Sequence, residues 1–189
     1  KRWYTKKVRI FYLFTKRGNR MNVVIHDLPK EQINNIFDST KKDIQIISDN
    51  GNIKNCIGCF GCWVKSPGEC IIHDSYNNMG AIFSKAKHVI IISKCCYGGY
   101  SPFVKTVLDR SISYLLPFFK TIDNETHHKQ RYKKSFSLSV YFYGEYISPQ
   151  EMETAKKLVK ANSLNFYISA YKIYFFRHPL ELINEVKIL

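Results

Sequence analysis

Residues 88–110 read HVIIISKCCYGGYSPFVKTVLDR. Val89, Ile90, Ile91 and Ile92 make the most strand-like run in the chain, apolar on both faces as a central strand of a parallel sheet must be. Gly98 and Gly99 break that run, and residues 101–119 then carry a helical periodicity. A strand, a glycine turn and a helix in this order are half of a βαβ unit, so the rest of the chain has to supply parallel neighbours.

It does so on both sides. Upstream, residues 21–26 (MNVVIH) and 43–48 (DIQIIS) read as strands. Residues 29–37 read as a helix between them, with Asp27 as N-cap and Pro29 in the first turn. A loop-rich segment over residues 50–72 holds four of the six cysteines, and a helix is expected over residues 75–86. Downstream, residues 127–134 read as a polar, basic connection. Residues 135–143 (SFSLSVYFY) alternate as a strand, 149–161 form a Lys- and Glu-rich helix, 166–176 a last strand and 179–186 a short helix. Five strands separated by helices imply a parallel sheet covered on both faces. Right-handed crossovers leave few topologies, and the expected one is α/β: a flavodoxin-like three-layer sandwich with a five-stranded parallel sheet in the order 2-1-3-4-5. Ligands of such sheets bind at the carboxyl ends of the strands, where the winding reverses between strands one and three. The loops after Ile25, Ser93 and Tyr143 are therefore the ones that matter.

Composition narrows the class. The chain has 189 residues, 45% hydrophobic and 15% aromatic, which is enough apolar surface for one real core and excludes a mainly disordered chain. No uninterrupted apolar stretch approaches the ~20 residues of a membrane-spanning helix, so the expectation is a soluble protein. Its 29 Lys and Arg against 15 Asp and Glu give +14, at first sight a nucleic-acid signal. Residues 1–20, however, hold eight basic residues and no acidic one, which leaves only +6 for the other 169. Because Met21 is the first methionine and opens a strand, residues 1–20 are expected to be a basic extension, with the domain over residues 21–189. Neither nucleic acid nor a membrane is the expected partner. With no signal-peptide pattern at the start, the compartment is expected to be cytoplasmic and reducing.

Two constellations carry chemistry. In the loop Ser93-Lys94-Cys95-Cys96-Tyr97-Gly98-Gly99-Tyr100-Ser101, two glycines permit close backbone approach to a flat ligand, and Tyr97 and Tyr100 can lie against a ring system. The plain alternative is a strand-to-helix turn with Ser101 capping the helix. The second constellation is Cys56-x2-Cys59-x2-Cys62-x7-Cys70. Four thiolates are what a [4Fe-4S] cluster requires, and the compact triplet is near the ferredoxin spacing. Zinc usually takes two separated pairs, and reduced metal-free thiols are the third reading. His127 and His128, among Lys129, Arg131, Lys133 and Lys134, read as a solvated face or as a landing place for cofactor phosphates.

The stretch 93–110, at Gly98, Ser101, Lys105, Asp109 and Arg110, resembles the flavin-ring loop and following helix of the flavodoxin-like NAD(P)H-dependent FMN reductases. Residues 56–74 (CIGCFGCWVKSPGECIIHD) resemble the cysteine-rich insert found in many of these proteins and in the related iron-sulfur flavoproteins. The resemblance implies FMN across the strand ends, its isoalloxazine on the 93–100 loop at Ser93, Cys95, Cys96, Tyr97, Gly98, Gly99 and Tyr100. Tyr143 and Gly144 would line the other side. It also implies hydride transfer from NAD(P)H to a small-molecule or redox-protein acceptor, in a homo-oligomer, with no side chain required as acid or base. One departure stands out. Family members follow the first strand with a Gly-, Ser- and Thr-rich phosphate loop, whereas this chain has His26-Asp27-Leu28-Pro29-Lys30-Glu31-Gln32. FMN then binds weakly, enters from another angle, or is absent in a degenerate relative that keeps the sheet for binding; an iron-sulfur flavoprotein for one-electron transfer is the remaining alternative.

Overall fold

The computed structural model describes residues 20–37 and 43–182. The expected extension, Arg20 apart, and the outer part of the expected C-terminal helix lie outside them.

The central strand is β3 (Ala86–Lys94), buried along both faces from Val89 to Ser93. It pairs in parallel with β1 (Met21–His26) on one side and β6 (Ser137–Tyr143) on the other. Outside these run β2 (Ile44–Ser48) and β7 (Ala170–Phe176), giving a five-stranded parallel sheet in the order β2-β1-β3-β6-β7. Counting only the parallel strands, that is the expected order 2-1-3-4-5.

Alternate residues of each strand feed two cores, as a pleat with period two requires. Val23, Ile25, Val89, Ile91, Val140 and Phe142 face a large core closed by α3 (Met79–Lys85), α4 (Pro102–Arg110) and α5 (Pro149–Asn165). Val24, Ile90, Ile92 and Tyr141 face a smaller one, closed by Ile33 and Ile36 of α1 (Lys30–Ile36) and by Leu182. The fold is therefore flavodoxin-like, with one thick helical layer and one thin one. Among the described residues no helix is long and apolar enough to cross a membrane.

The helix expected over residues 101–119 stops at Arg110. A 3-10 turn (Ser111–Tyr114) follows, then β4 (Leu115–Ile122) and β5 (Glu125–Gln130), an antiparallel hairpin outside the main sheet. Pro117 cannot extend a helix and biases Leu116 toward extended backbone. Asp123 and Asn124, at φ of 48° and 65°, form the two-residue turn with positive φ that matches strand twist. The residues read as a solvated basic connection are in part structural. His127 is buried with Nδ1 2.9 Å from Asn165 Oδ1, and the His128 Nδ1 donates to the Leu116 carbonyl at 2.9 Å. The last strand also begins later than expected, because α5 runs on to Asn165 and turns at Tyr167, φ 56°.

Arg110 holds the cysteine segment to α4. Its side chain is buried, donating to both Asp74 carboxylate oxygens at 2.7 and 2.8 Å and to the carbonyls of Lys54 and Ile72. Asp74 also accepts from the amides of Tyr76 and Lys54. Burial alone would raise the Asp74 pKa, but the hydrogen bonds and the Arg110 charge outweigh it and hold the carboxyl below its ordinary value.

Asp74→Ala leaves a buried guanidinium without its counter-ion and should lower stability by about 3–5 kcal/mol in urea unfolding. With a depressed folded pKa, the Asp74 contribution is fully present above the ordinary carboxylate range near pH 4 and is lost as pH falls through the lower folded value. Asp74→Asn should accordingly flatten the acid limb of the stability profile.

Candidate functional site

Three loops leave the carboxyl ends of β1, β3 and β6 side by side. After β1, the Asp27 amide donates to the Ile92 carbonyl at 3.3 Å, and the Leu28 amide donates to His26 Nδ1 at 3.1 Å. Pro29 has no amide hydrogen. The amides of Gln32 and Ile33 both turn back to the Pro29 carbonyl, starting a helix of only seven residues. Asp27 is not its N-cap; Pro29 holds that position without a side-chain cap. The Asp27 carboxylate instead reaches across the strand ends, accepting from the Lys94 amide at 2.9 Å and the Tyr143 hydroxyl at 3.0 Å. Burial, reinforced by the Asp27 charge, raises the Tyr143 pKa, so the phenol stays protonated as donor. His26 is buried within the same loop, and burial lowers its pKa.

The loop after β3 begins as a continuation of the sheet, with the Cys95 amide donating to the Tyr143 carbonyl at 2.8 Å. Cys96 and Gly99 then exchange both backbone hydrogen bonds, at 2.9 and 2.8 Å, around Tyr97 and Gly98, whose φ values are 53° and 77°. This tight turn carries the Tyr97 ring out into solvent, 93% exposed. Gly98 lies against the start of α5: a Cβ there would come within 2.7 Å of Thr154 Cβ and 2.8 Å of the Glu151 carbonyl oxygen. Its lack of a side chain thus serves helix packing.

The other residues expected around the ring are disposed unequally. Tyr100 turns inward, 8% exposed, stacked on Phe142 at 5.3 Å, and burial pushes its pKa up to about 12. Its ring belongs to the core, so of the aromatic pair only Tyr97 faces outward. Ser93 is fully buried, with its hydroxyl accepting from the Ser101 amide at 2.8 Å. The Ser101 side chain makes no cap bond; Ser93 secures the start of α4 in its place. Cys95 and Cys96 are partly exposed. Gly144, also partly exposed, anchors through its amide to the Phe176 carbonyl. Tyr146 on the same loop is largely exposed, and Ser148 with Glu151 forms a capping box that fixes the start of α5.

The four-cysteine segment does not assemble a ligand set. Cys56 and Cys59 are exposed and Cys62 and Cys70 buried. Among the described residues no three His, Cys, Asp or Glu side chains converge to hold a metal. Cys62 lies within the short helix α2 (Gly61–Val64), while the Cys70 amide is tied to the Asn77 carbonyl. Burial, and then the neighbouring thiols, push the Cys62 pKa up to about 11. The expected cluster ligands Cys56, Cys59, Cys62 and Cys70 thus lie near one another without forming a metal-holding group among the described residues. Next to the segment lies an aromatic run that the sequence did not reveal: Phe60 stacks on Trp63, which packs on His128, which packs on Phe119.

No family model and no curated protein matches the chain. Solved structures do. An FMN-dependent NADH-azoreductase from Bacillus anthracis, in complex with FMN, superposes with a TM-score of 0.53 at 11% identity, over 88% of this chain and 93% of that one. An NADPH-quinone reductase from P. pentosaceus gives 0.54 at 7%, over 89% and 94%. An NAD(P)H:quinone oxidoreductase from Methanothermobacter marburgensis gives 0.54 at 8%, over 89% and 96%. At such identities the likeness is one of fold.

Gly98→Ala must overcome both a left-handed backbone and a close contact with α5, and should lower stability by about 1–3 kcal/mol in urea unfolding. Gly99→Ala, whose Cβ would meet only the Cys96 carbonyl oxygen at 3.3 Å, should cost clearly less.

Proposed function

We propose that this chain is a flavin-dependent oxidoreductase that passes electrons from NAD(P)H through FMN to a small-molecule or redox-protein acceptor. The observation that carries the reading is the pairing of a flavodoxin-like strand order with an exposed aromatic ring on the loop at its switch point. The tight turn at Cys96 and Gly99 holds the Tyr97 ring in solvent next to the Tyr143–Gly144 loop. The solved structures of similar fold include FMN-dependent and NAD(P)H-dependent reductases, which supports the same class of chemistry.

The residues present suit the ring end of FMN more clearly than its phosphate end. On the ring side, Tyr97 offers an aromatic face, and Gly144 with Cys95 and Cys96 offers backbone and small side chains partly open to solvent. On the phosphate side, the first loop carries the Asp27 carboxylate and Pro29 in place of glycines and hydroxyls, and only the Lys30 and Glu31 amides at the start of α1 are without a backbone acceptor among the described residues. A bound flavin supplies the redox chemistry itself, while the protein supplies position and hydrogen bonding.

A second reading is favoured by Asp27 specifically. With the strand ends tied together by protein groups, the chain is a flavodoxin-like binding protein without a flavin.

The two readings part on a simple measurement. The flavin reading expects the protein to quench FMN fluorescence on titration and to oxidise NAD(P)H once loaded. Tyr97→Ala, at a solvent-exposed position, should leave the unfolding midpoint unchanged and weaken FMN on the order of 10-fold, the worth of one aromatic contact. A colourless protein that leaves FMN fluorescence unchanged supports the binding protein instead.

A further inference from the structure

The four thiols of residues 56–70 take no part in the function proposed above, and the path of the chain between them gives two of them a chemistry of their own. We infer that Cys62 and Cys70 are a dithiol that closes reversibly to a disulfide, by exchange with a small-molecule disulfide that enters through the exposed thiols of Cys56 and Cys59. The inference stands whether or not the protein binds a flavin.

The chain reverses between Cys62 and Cys70, and two contacts hold its arms together. The Gly68 amide, two residues before Cys70, donates to the Cys62 carbonyl at 3.0 Å. Gly61, just before Cys62, packs on Ile71, just after Cys70, so closely that a Cβ on Gly61 would lie 2.6 Å from Ile71 Cγ2. The two cysteines are thus neighbours across a clamped turn, and both are buried. A disulfide forms without backbone movement only between cysteines whose Cα atoms lie within about 7 Å, and the two contacts draw the arms together in that sense. Electrostatics agree. After burial, Cys70 acts most strongly on Cys62, ahead of Cys56 and then Cys59, in raising its pKa to about 11. On the far side the Arg110 guanidinium lies against Cys70, which hydrogen-bonds to it, and the Cys70 amide is fixed to the Asn77 carbonyl.

Burial shields Cys62 and Cys70 from a bulky disulfide in solution, so exchange begins at Cys56 or Cys59, which are exposed. The exposed thiol gives up its proton and attacks the small-molecule disulfide, forming a mixed disulfide and expelling one small thiol. Cys62 then loses its proton and attacks the sulfur of that exposed cysteine, which expels the second small thiol. Cys70, losing its proton in turn, attacks the Cys62 sulfur and returns the exposed cysteine as a thiol. In sum, two protein thiols are oxidised to one disulfide, and one small-molecule disulfide is reduced to two thiols by two electrons and two protons. Within a reducing compartment such a pair stays open at rest and closes transiently.

The experiment treats the whole folded protein with excess oxidised glutathione, then blocks the remaining thiols with iodoacetamide and maps them by mass spectrometry. Trypsin cuts after Lys65, between the two cysteines, so closure appears as a disulfide-linked pair of tryptic peptides, with Cys56 and Cys59 carrying the label. The link should form with circular dichroism unchanged and disappear on addition of dithiothreitol. A link from Cys70 to Cys56 or Cys59, a link between Cys56 and Cys59, or four labelled thiols overturns the inference. So does a Cys62–Cys70 link that forms only as the native circular dichroism is lost. Joint Cys56→Ser and Cys59→Ser substitution, at exposed positions, should slow closure by about tenfold or more, because the rate of exchange follows access of the attacking thiol. An unchanged rate overturns the part assigned to the exposed thiols.

Discussion

At the carboxyl edge of a parallel sheet the last backbone amides run out of strand partners, and something must accept their hydrogens. In this chain the acceptor is the Asp27 carboxylate, which follows β1, takes the Lys94 amide at the end of β3, and takes the Tyr143 hydroxyl at the end of β6. Three neighbouring strands are thus tied at their ends by one side chain. With Asp27 held there, Leu28 folds down into the smaller core and Pro29 starts α1 directly, with a single residue of slack. At the switch point the end of β1 is thus closed onto β3 and β6 by protein groups.

Those partnerships explain what could and could not be read from the sequence. Local pattern was enough for β3, β1, β6 and the strand order, because buried β-branched runs and right-handed crossovers are properties of short segments. It was also enough to notice that the first loop lacks a phosphate cradle. It was misleading at Asp27, where an acidic residue before Leu-Pro-Lys resembles an N-cap. The real partners lie 67 and 116 residues away in sequence, beyond any local rule. Tyr100 shows the same limit. A tyrosine in a glycine turn can face a ligand or the core, and only its stacking on Phe142 decides. The β4–β5 hairpin was legible in principle. Pro117 and the Asp123-Asn124 pair are both helix-stopping and turn-forming signals, but the apolar run over residues 112–119 reads equally well as a buried helix.

The cysteine segment teaches a related point about spacing. Three thiols at intervals of three are compatible with a cluster, yet the same spacing arises when a chain must reverse sharply within a few residues. Gly58 and Phe60 take positive φ, Gly61 lets Ile71 pack within a distance that a Cβ would not allow, and Gly68 takes positive φ again. What anchors the loop is Arg110, which grips Lys54 and Ile72 near its two ends and Asp74 just beyond. Such a buried, bidentate ion pair contributes little net stability over an apolar alternative, but it fixes geometry, because neither partner can leave without stranding the other. The glycines between the thiols record the turns, and the guanidinium holds the segment that contains them.

Ordering by protein groups extends to both ends of the candidate site. The ring-side loops are held at every point by the scaffold: Ser93 secures Ser101, Gly98 seats on α5, Gly144 joins Phe176, and Ser148 with Glu151 fixes the helix behind them. A ligand meeting these loops finds them already ordered and loses little affinity to arranging them. The first loop is equally ordered, but around a carboxylate, with Asp27 held by the Lys94 amide and the Tyr143 hydroxyl. Both sets of loops are thus ordered by protein groups, the ring-side ones by packing on α5 and the first by the way three strand ends were closed.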